Sequence, residues 1–316
     1  MSNLKVNIAL KSEYMALAAE TDRRLGEMEK LFSTLFSSED ELCDMLLSGG
    51  KRLRPILACA ASYFGSKDCE IVPLMAMLEM MHTASLVHDD VVDDSHERRG
   101  RPTLNHLHGN AVAIKKGDRL LSGAMRVLSI YRGTGINEVL SETSREMCIG
   151  ELDQLAARGN FEMHDAGSYM LRIKRKTALL LSASCRCGAI AAGLPVQWQD
   201  ALADFGLNLG IAFQLEDDLL DFTGKAVFGK PSLQDLRRGI YTMPVIRAAQ
   251  VSDRLPDLTD PEATAKWVKT TDGLEYTHNL ADSYLQKGLD ALAPLPEIPA
   301  KDALKDIALK LSGRER

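Results

Sequence analysis

Residues 71–92 read IVPLMAMLEMMHTASLVHDDVV. Apolar side chains recur there at helical spacing and fall on nearly every side of the helix they predict. That pattern belongs to a helix packed among other helices, not to a surface helix with one greasy stripe. Pro73 stands in the first turn, where a residue without an N–H is tolerated. The run ends in Asp89-Asp90-Val91-Val92-Asp93, with Asp94 following. Residues 205–222 (FGLNLGIAFQLEDDLLDF) repeat the arrangement, ending in Asp217-Asp218-Leu219-Leu220-Asp221 after Glu216.

Around these two segments the 316-residue chain keeps a helical character. Of its 11 prolines only Pro55, Pro73, Pro102 and Pro195 precede residue 200, which leaves long proline-free stretches for long helices. Residues 15–36 alternate acidic, basic and apolar groups as an amphipathic outer helix does. Loops are marked at Gly49-Gly50, Gly65-Ser66, 98–102, 133–135, Gly159, 193–195 and 224–231. The proline-richer stretch 256–299 predicts shorter outer helices. No alternating strand pattern, solenoid repeat or linker stands out. The expectation is an all-α fold, one domain spanning residues 1–316.

Composition agrees. Aromatics are only 5% while Met is 13, a mix suited to Leu/Ala/Met helices rather than to β-sandwiches. The formal net charge of −6 and pI of about 5.7 argue against a nucleic-acid binder. No run of about 18 uninterrupted apolar residues predicts a membrane span, and residues 1–10 carry no signal pattern. Cys43, Cys59, Cys69, Cys148, Cys185 and Cys187 form no CxxC pair. They read as reduced, mostly buried residues of a cytoplasmic protein.

Both aspartate clusters have the spacing DDxxD. On a helix, residues i and i+4 share a face about 6 Å apart, so Asp89 pairs with Asp93 and Asp217 with Asp221. Crowded carboxylates repel unless a cation neutralises them, and hard oxygen donors on one face suit Mg²⁺, which bridges to phosphates. A single DDxxD is equally well a solvated acidic face. Two of them, each closing an apolar run, read as two walls of one metal–phosphate site. The matching cations are Lys51, Arg52 and Arg54 in Gly49-Gly50-Lys51-Arg52-Leu53-Arg54-Pro55, and Arg98-Arg99 after the first cluster. Lys174-Arg175-Lys176-Thr177 and Gln214 add cation, hydroxyl and amide groups. His82 is either a satisfied core histidine or a donor to phosphate. No GxxxxGK[ST] occurs, so an ATP-dependent kinase lacks support.

These residues together resemble the trans-isoprenyl diphosphate synthases, the polyprenyl synthetases. The segments that carry the resemblance are GGKRLRP (49–55), HTASLVHDDVVDDSHERRGRPT (82–103), Gly117-Asp118, Lys176-Thr177, FQLEDDLLD (213–221), Gly229-Lys230-Pro231 and Asp235-Leu236, in that order. The resemblance implies a helical bundle around a deep central cavity, usually a homodimer. It implies an enzyme that joins isopentenyl diphosphate to an allylic diphosphate with Mg²⁺, about three ions per site. Asp89, Asp90 and Asp93 would bind Mg²⁺ with the allylic diphosphate, and Asp217, Asp218 and Asp221 a further ion. Gly50, Lys51, Arg54, His82 and Arg99 would hold isopentenyl diphosphate. Arg98, Lys176, Thr177, Gln214 and Lys230 would face the allylic diphosphate. Lys176, Thr177 and Gln214 would also stabilise the cation left when the allylic bond ionises.

Product length is expected to depend on the face of the helix below Asp89. Ser85 and Met81 lie one and two turns deeper, and Ala84 five residues before Asp89. Short-chain members of the family usually carry a bulky aromatic at this level. Small Ala84 and Ser85 therefore predict an open tunnel and a product longer than farnesyl, with Met81 or Met125 as its floor. A geranylgeranyl or farnesyl product is the shorter-chain alternative. Three positions depart from the family's pattern: Ile240 replaces the usual lysine in GIYTMP (239–244), Asp94 stands where Glu is common, and Arg119 where an aromatic is frequent. Arg237 or Arg238 is the nearest substitute for the lysine. Two rivals stay open. A terpene cyclase would need no second diphosphate pocket, and a noncatalytic subunit would typically lose one aspartate cluster.

Overall fold

The computed structural model describes residues 2–48, 50–65, 69–98, 100–223 and 233–313, with side chains from residue 14 onward. In chain order the elements are α1 (Ser2–Leu35), α2 (Asp40–Leu47), α3 (Leu53–Ser62), α4 (Ile71–Val92), β1 (Glu97–Arg98), β2 (Arg101–Pro102), α5 (Leu104–His108), α6 (Asn110–Leu128), α7 (Ile136–Ala157), α8 (Ala166–Ile173), a π-helical turn (Lys174–Ala178), α9 (Leu179–Ala191), α10 (Val196–Thr223), α11 (Gln234–Arg237), α12 (Met243–Val251), α13 (Pro261–Val268), α14 (Gly273–Ala291) and α15 (Pro299–Leu311). The fold is all-α, as expected. One two-residue hairpin was not foreseen. β1 pairs antiparallel with β2, with Glu97 opposite Pro102 and Arg98 opposite Arg101, and Gly100 supplies the positive φ its turn requires.

The helices gather into two compact units. One comprises residues 1–139, 184–200 and 295–304, the other residues 140–183, 201–294 and 305–316. In the first, α4 is the core helix. Leu74, Met75, Met77, Leu78 and Met80 are fully buried. It is also the one described helix long and apolar enough to cross a membrane, yet 67% of its apolar window is buried inside the protein. Its partner α6 has the opposite design. Ala113, Gly117, Leu120, Ala124, Val127 and Leu128 form a buried stripe at spacings of three and four residues, and the other side is polar. Small residues in that stripe let the two helices approach. A Cβ on Gly117 would lie 2.3 Å from His88 Nε2, and one on Gly123 3.2 Å from Met80 Sδ.

In the second unit, Tyr169, Ile173, Ala178, Ile211, Leu215, Met243, Ile246 and Ala281 form one apolar cluster. Phe222, Leu233, Leu236, Tyr241, Val245, Ala248, Ala265 and Val268 form another. The stretch 256–299 is more regular than its prolines suggested, because α14 alone runs for 19 residues. The cysteines are all free, but only Cys59, Cys185 and Cys187 are buried, and Cys148 is exposed.

Candidate active site

The first aspartate cluster closes α4. Asp89 and Asp93 are partly exposed, whereas Asp90 is 6% exposed and faces inward. There Arg98 Nε donates to both Asp90 oxygens at 2.9 and 3.0 Å, and an Arg98 Nη lies 2.8 Å from Oδ1. Asn105 donates from below to the backbone oxygens of Asp90 and Ser95, both at 3.1 Å. The hairpin thus returns a guanidinium to the helix end that carries the carboxylates. Arg98, expected to face a diphosphate, pairs with Asp90. Asp94 adopts a left-handed φ of +48°. Asp is enriched in that region, so its presence in place of Glu suits the turn.

The glycine-rich cation motif lies before α3 in the same unit. Gly50 has φ +138° and Arg52 φ +47°. Arg52 turns inward. Its Nη1 donates to the buried Glu79 of α4 at 2.7 Å, and its other nitrogen donates to the Leu46 carbonyl. The motif's cations therefore divide into a structural Arg52, an exposed Lys51 and a half-buried Arg54. His82 is half-buried on α4, and its carbonyl accepts from Ser85 Oγ at 2.8 Å. Arg99 and Lys230 lie outside the described residues. Arg119 bonds Glu39 at 2.8 Å and stacks over Phe36, 4.9 Å from the ring centre, so it braces α6 against the α1–α2 corner.

The residues predicted to shape a tunnel separate onto two stripes of α4. Ala84 is fully buried midway between Met80 and His88, the two residues that meet Gly123 and Gly117 of α6. Met81, Ser85 and Asp89 follow one another at four-residue spacing on the adjoining stripe, with Met81 4% exposed and Ser85 partly exposed. Met125 is a correction. It is 47% exposed on the polar side of α6, and within one chain it closes no buried floor.

The second cluster closes α10. Asp217 is exposed, Asp221 partly exposed and Asp218 2% exposed. Asp221 receives two backbone donors, Gln234 N at 2.9 Å and Asp235 N at 3.2 Å. This ties α10 to the start of α11. Burial pushes the Asp235 carboxyl up to about 6. Asp221 and Asp217 add to the rise, while Arg238 and Lys176 oppose it. These groups therefore share one electrostatic neighbourhood. Arg237 is engaged elsewhere, with Glu262 at 2.5 Å, so Arg238 is the cation nearest in effect to the carboxylates where Ile240 replaces lysine.

Glycine spacing brings the catalytic candidates to this cluster. Gly206, Gly210 and Gln214 form one stripe of α10. A Cβ on Gly206 would meet the Leu181 carbonyl at 2.6 Å, and one on Gly210 the Cα of Ala178 at 2.5 Å. The resulting close approach lets Thr177 Oγ1 donate to Gln214 Oε1 at 2.8 Å, and Gln214 Nε2 donates to Asp218 Oδ1 at 3.1 Å. The π-helical turn Lys174–Ala178 bonds i to i+5 and so inserts one residue relative to a regular helix, which shifts the register at Thr177. Lys176 lies 2.9 Å from Glu151 of α7, and Arg175 is held by Glu146 and Asp153. Gly210→Ala is expected to force these backbones apart and lower kcat about tenfold without changing any polar group. Steady-state kinetics beside thermal melting checks this.

Two residues escaped the sequence reading. Glu151 holds Lys176, and Tyr169 OH donates to the second Asp218 oxygen. Burial and the nearby Asp235 push the Asp218 carboxyl well above its ordinary range, against the lowering effect of the hydrogen bonds from Tyr169 and Gln214, while burial and the adjacent Asp218 push the Tyr169 phenol well above its own. Tyr169 precedes Lys176 by seven residues, a spacing at which a helix returns to the same face, and that was the available signal.

The polyprenyl synthetase family model matches residues 38–267. The chain is 37% identical over 318 residues to heptaprenyl diphosphate synthase component 2 of Geobacillus stearothermophilus, covering 97% of this chain and 99% of that one. Among solved structures it resembles a decaprenyl diphosphate synthase from Rhodobacter capsulatus, with TM-score 0.86 and 34% identity over 96% of this chain and 99% of the other. It also resembles a polyprenyl synthase from Caulobacter crescentus solved with calcium and isoprenyl diphosphate, with TM-score 0.85 and 30% identity over 96% and 98%.

Proposed function

The chain belongs to the polyprenyl synthetase family, and we propose that this trans-prenyltransferase elongates an allylic diphosphate with isopentenyl diphosphate to a trans-polyprenyl diphosphate longer than C15. Residues 1–316 act as one catalytic domain in the cytoplasm. The observation that carries this reading is the pair of carboxylate sets, Asp89 with Asp93 and Asp217 with Asp221, each closing a largely buried apolar helix. Both sets act in one reaction.

The donor set fits Mg²⁺. It is all carboxylate oxygen, spaced one helical turn apart, with Asp217 exposed and Asp89, Asp93 and Asp221 partly exposed. Mg²⁺ held by these residues, three ions by the family resemblance, would supply positive charge to the leaving diphosphate. The rest of the chemistry falls to the chain's own groups. Gly50, Lys51, Arg54, His82 and Arg99 hold isopentenyl diphosphate. Lys176 and Lys230 attract the allylic diphosphate and favour its departure as an anion. Arg98 joins them at the allylic diphosphate, and by gripping Asp90 it also holds the first carboxylate set in place. Thr177 and Gln214 turn polar atoms toward the allylic cation, apolar walls keep water from it, and the isopentenyl double bond attacks its C1. The proton lost afterward passes to the released diphosphate.

The test is incubation of the purified chain with isopentenyl diphosphate, a C10, C15 or C20 allylic primer and Mg²⁺. Products longer than C15 are expected, and no product beyond C15 would overturn the long-chain reading.

The chain assembles as a homodimer in this reading. Leu107, Val112, Ile114 and Met125, on α5 and α6, are apolar side chains between 39% and 53% exposed. Similarity to a protein named as component 2 favours a second reading, in which the chain pairs with a different subunit. Light scattering and turnover by the chain alone separate the two. A monomer that gains activity only with a second protein would support the heteromer.

A further inference from the structure

Asp218, which the family resemblance counts among the metal ligands, meets a second buried polar residue of the second unit that neither the apolar core nor that resemblance explains, Tyr169. Asp218 is 2% and Tyr169 1% exposed, and each meets the other through a polar atom. A carboxylate so deep needs donors on both oxygens. It has them, since Tyr169 OH takes one and Gln214 Nε2 the other.

The consequence runs along the chain of bonds. A primary amide can be turned end for end, and its neighbours decide which end faces where. Asp218 Oδ1 accepts from the Gln214 NH₂ at 3.1 Å, which turns that end of the amide toward Asp218. The amide oxygen is left facing Thr177, whose hydroxyl hydrogen it accepts at 2.8 Å. That engages the one hydrogen Thr177 owns. Its oxygen lone pairs are what remain to face a reacting group. A developing allylic cation is stabilised by lone pairs and destabilised by an O–H pointed at it.

We propose that Tyr169 is a positioning residue for prenyl transfer. By fixing the Asp218 carboxylate, it locks the Gln214 amide in one orientation and makes the Thr177 oxygen an electron-pair face toward the allylic cation. This rests on the proposed function only in giving Thr177 and Gln214 their role. The order of bonds stands apart from it.

The experiment uses the full chain and single-turnover quench-flow with a C15 primer, isopentenyl diphosphate and Mg²⁺. Tyr169→Phe removes only the hydroxyl. Its single-turnover rate is expected to fall about tenfold with KM for both diphosphates within twofold of wild type. Asp218→Asn keeps volume and hydrogen-bonding capacity but presents an NH₂ to residue 214. The Gln214 amide then turns over, Thr177 becomes an acceptor with its hydrogen outward, and the rate is expected to fall about 100-fold while melting stays near wild type. Combining Asp218→Asn with Gln214→Glu restores the order of donors and acceptors, and at least tenfold of the rate is expected to return. A purely structural role would leave melting and rate falling together, with no rescue. A metal-ligand role for Asp218 would raise the Mg²⁺ concentration for half-maximal rate in both Asn variants.

A wild-type rate in Tyr169→Phe, or a double variant no faster than Asp218→Asn, would overturn the proposal. The Gln214 side-chain amide ¹⁵N signal reads the same bond without turnover. It is expected to shift in Tyr169→Phe, and an unmoved signal would also overturn the proposal. A wild-type chain with no turnover at all would instead sink the proposed function.

Discussion

Asp89→Ala is expected to lower kcat by about 10³-fold or more while leaving the melting temperature unchanged or slightly higher. The two halves of that result have one cause. Asp89 and Asp93 stand one turn apart at the end of α4, both partly exposed, and without a cation each raises the other's energy by about 0.2–0.5 kcal/mol. Alanine removes the repulsion and is the better helix former. In the proposed mechanism what is lost is a carboxylate that would collect Mg²⁺ and, through it, stabilise charge on the departing diphosphate, an effect of the size seen when a principal electrostatic stabiliser is deleted. The neighbouring Asp90→Ala should behave differently. Its carboxylate is buried under the Arg98 guanidinium, so its loss strands a charge-assisted hydrogen-bonding pair and costs about 1–3 kcal/mol in stability as well as activity. Melting curves and Mg²⁺ titrations of the two variants, side by side, check this. An Asp89→Ala chain that turns over within tenfold of wild type would remove α4's carboxylates from the chemistry.

The difference between those neighbours shows what the sequence could and could not reveal. The bounds of α4 were legible to the residue, because apolar side chains on all sides, a first-turn proline and an aspartate-rich end leave a helix few alternatives. The composition also excluded a sheet fold, and the one hairpin that formed needs only four residues and a glycine. Which of three adjacent aspartates faces outward was not legible. Helical spacing pairs Asp89 with Asp93 and Asp217 with Asp221, but only packing turns Asp90 toward Arg98 and Asp218 toward Tyr169. The cations behaved alike. In Lys51-Arg52-Leu53-Arg54, the left-handed backbone at Arg52 sends the middle guanidinium to buried Glu79. Register was the other hidden variable. A regular helix through residues 166–191 would have placed Thr177 differently. The π-helical turn at 174–178 and the absent Cβ atoms of Gly206 and Gly210 decide that it meets Gln214, and a local pattern does not report an interhelical distance. Met125 failed for a related reason. Its spacing suits a tunnel wall, but the polar side of α6 holds it outward.

Ser85→Phe is expected to shorten the product by at least one C5 unit, and Ala84→Phe to cost stability instead. Both positions were read as small residues beneath Asp89, and the structure separates them. Ser85 lies directly one turn below Asp89 and is partly exposed. A ring there would stand in the path of a chain growing down that face. Each isoprene unit denied apolar surroundings forfeits about 3–4 kcal/mol of burial, enough to make release faster than a further addition. Ala84 has no such freedom. It is fully buried on the stripe between Met80 and His88, where α6 approaches so closely that it carries glycine at residues 117 and 123. Phenylalanine inserted into that seam overpacks it, at about 1–3 kcal/mol, which for a chain of this size lowers melting by several degrees. Chromatographic product profiles and melting temperatures of the two variants separate the effects. Shorter products from Ala84→Phe at unchanged melting, together with a wild-type profile from Ser85→Phe, would reverse the assignment and put the growing isoprenoid on the α6 side of the helix.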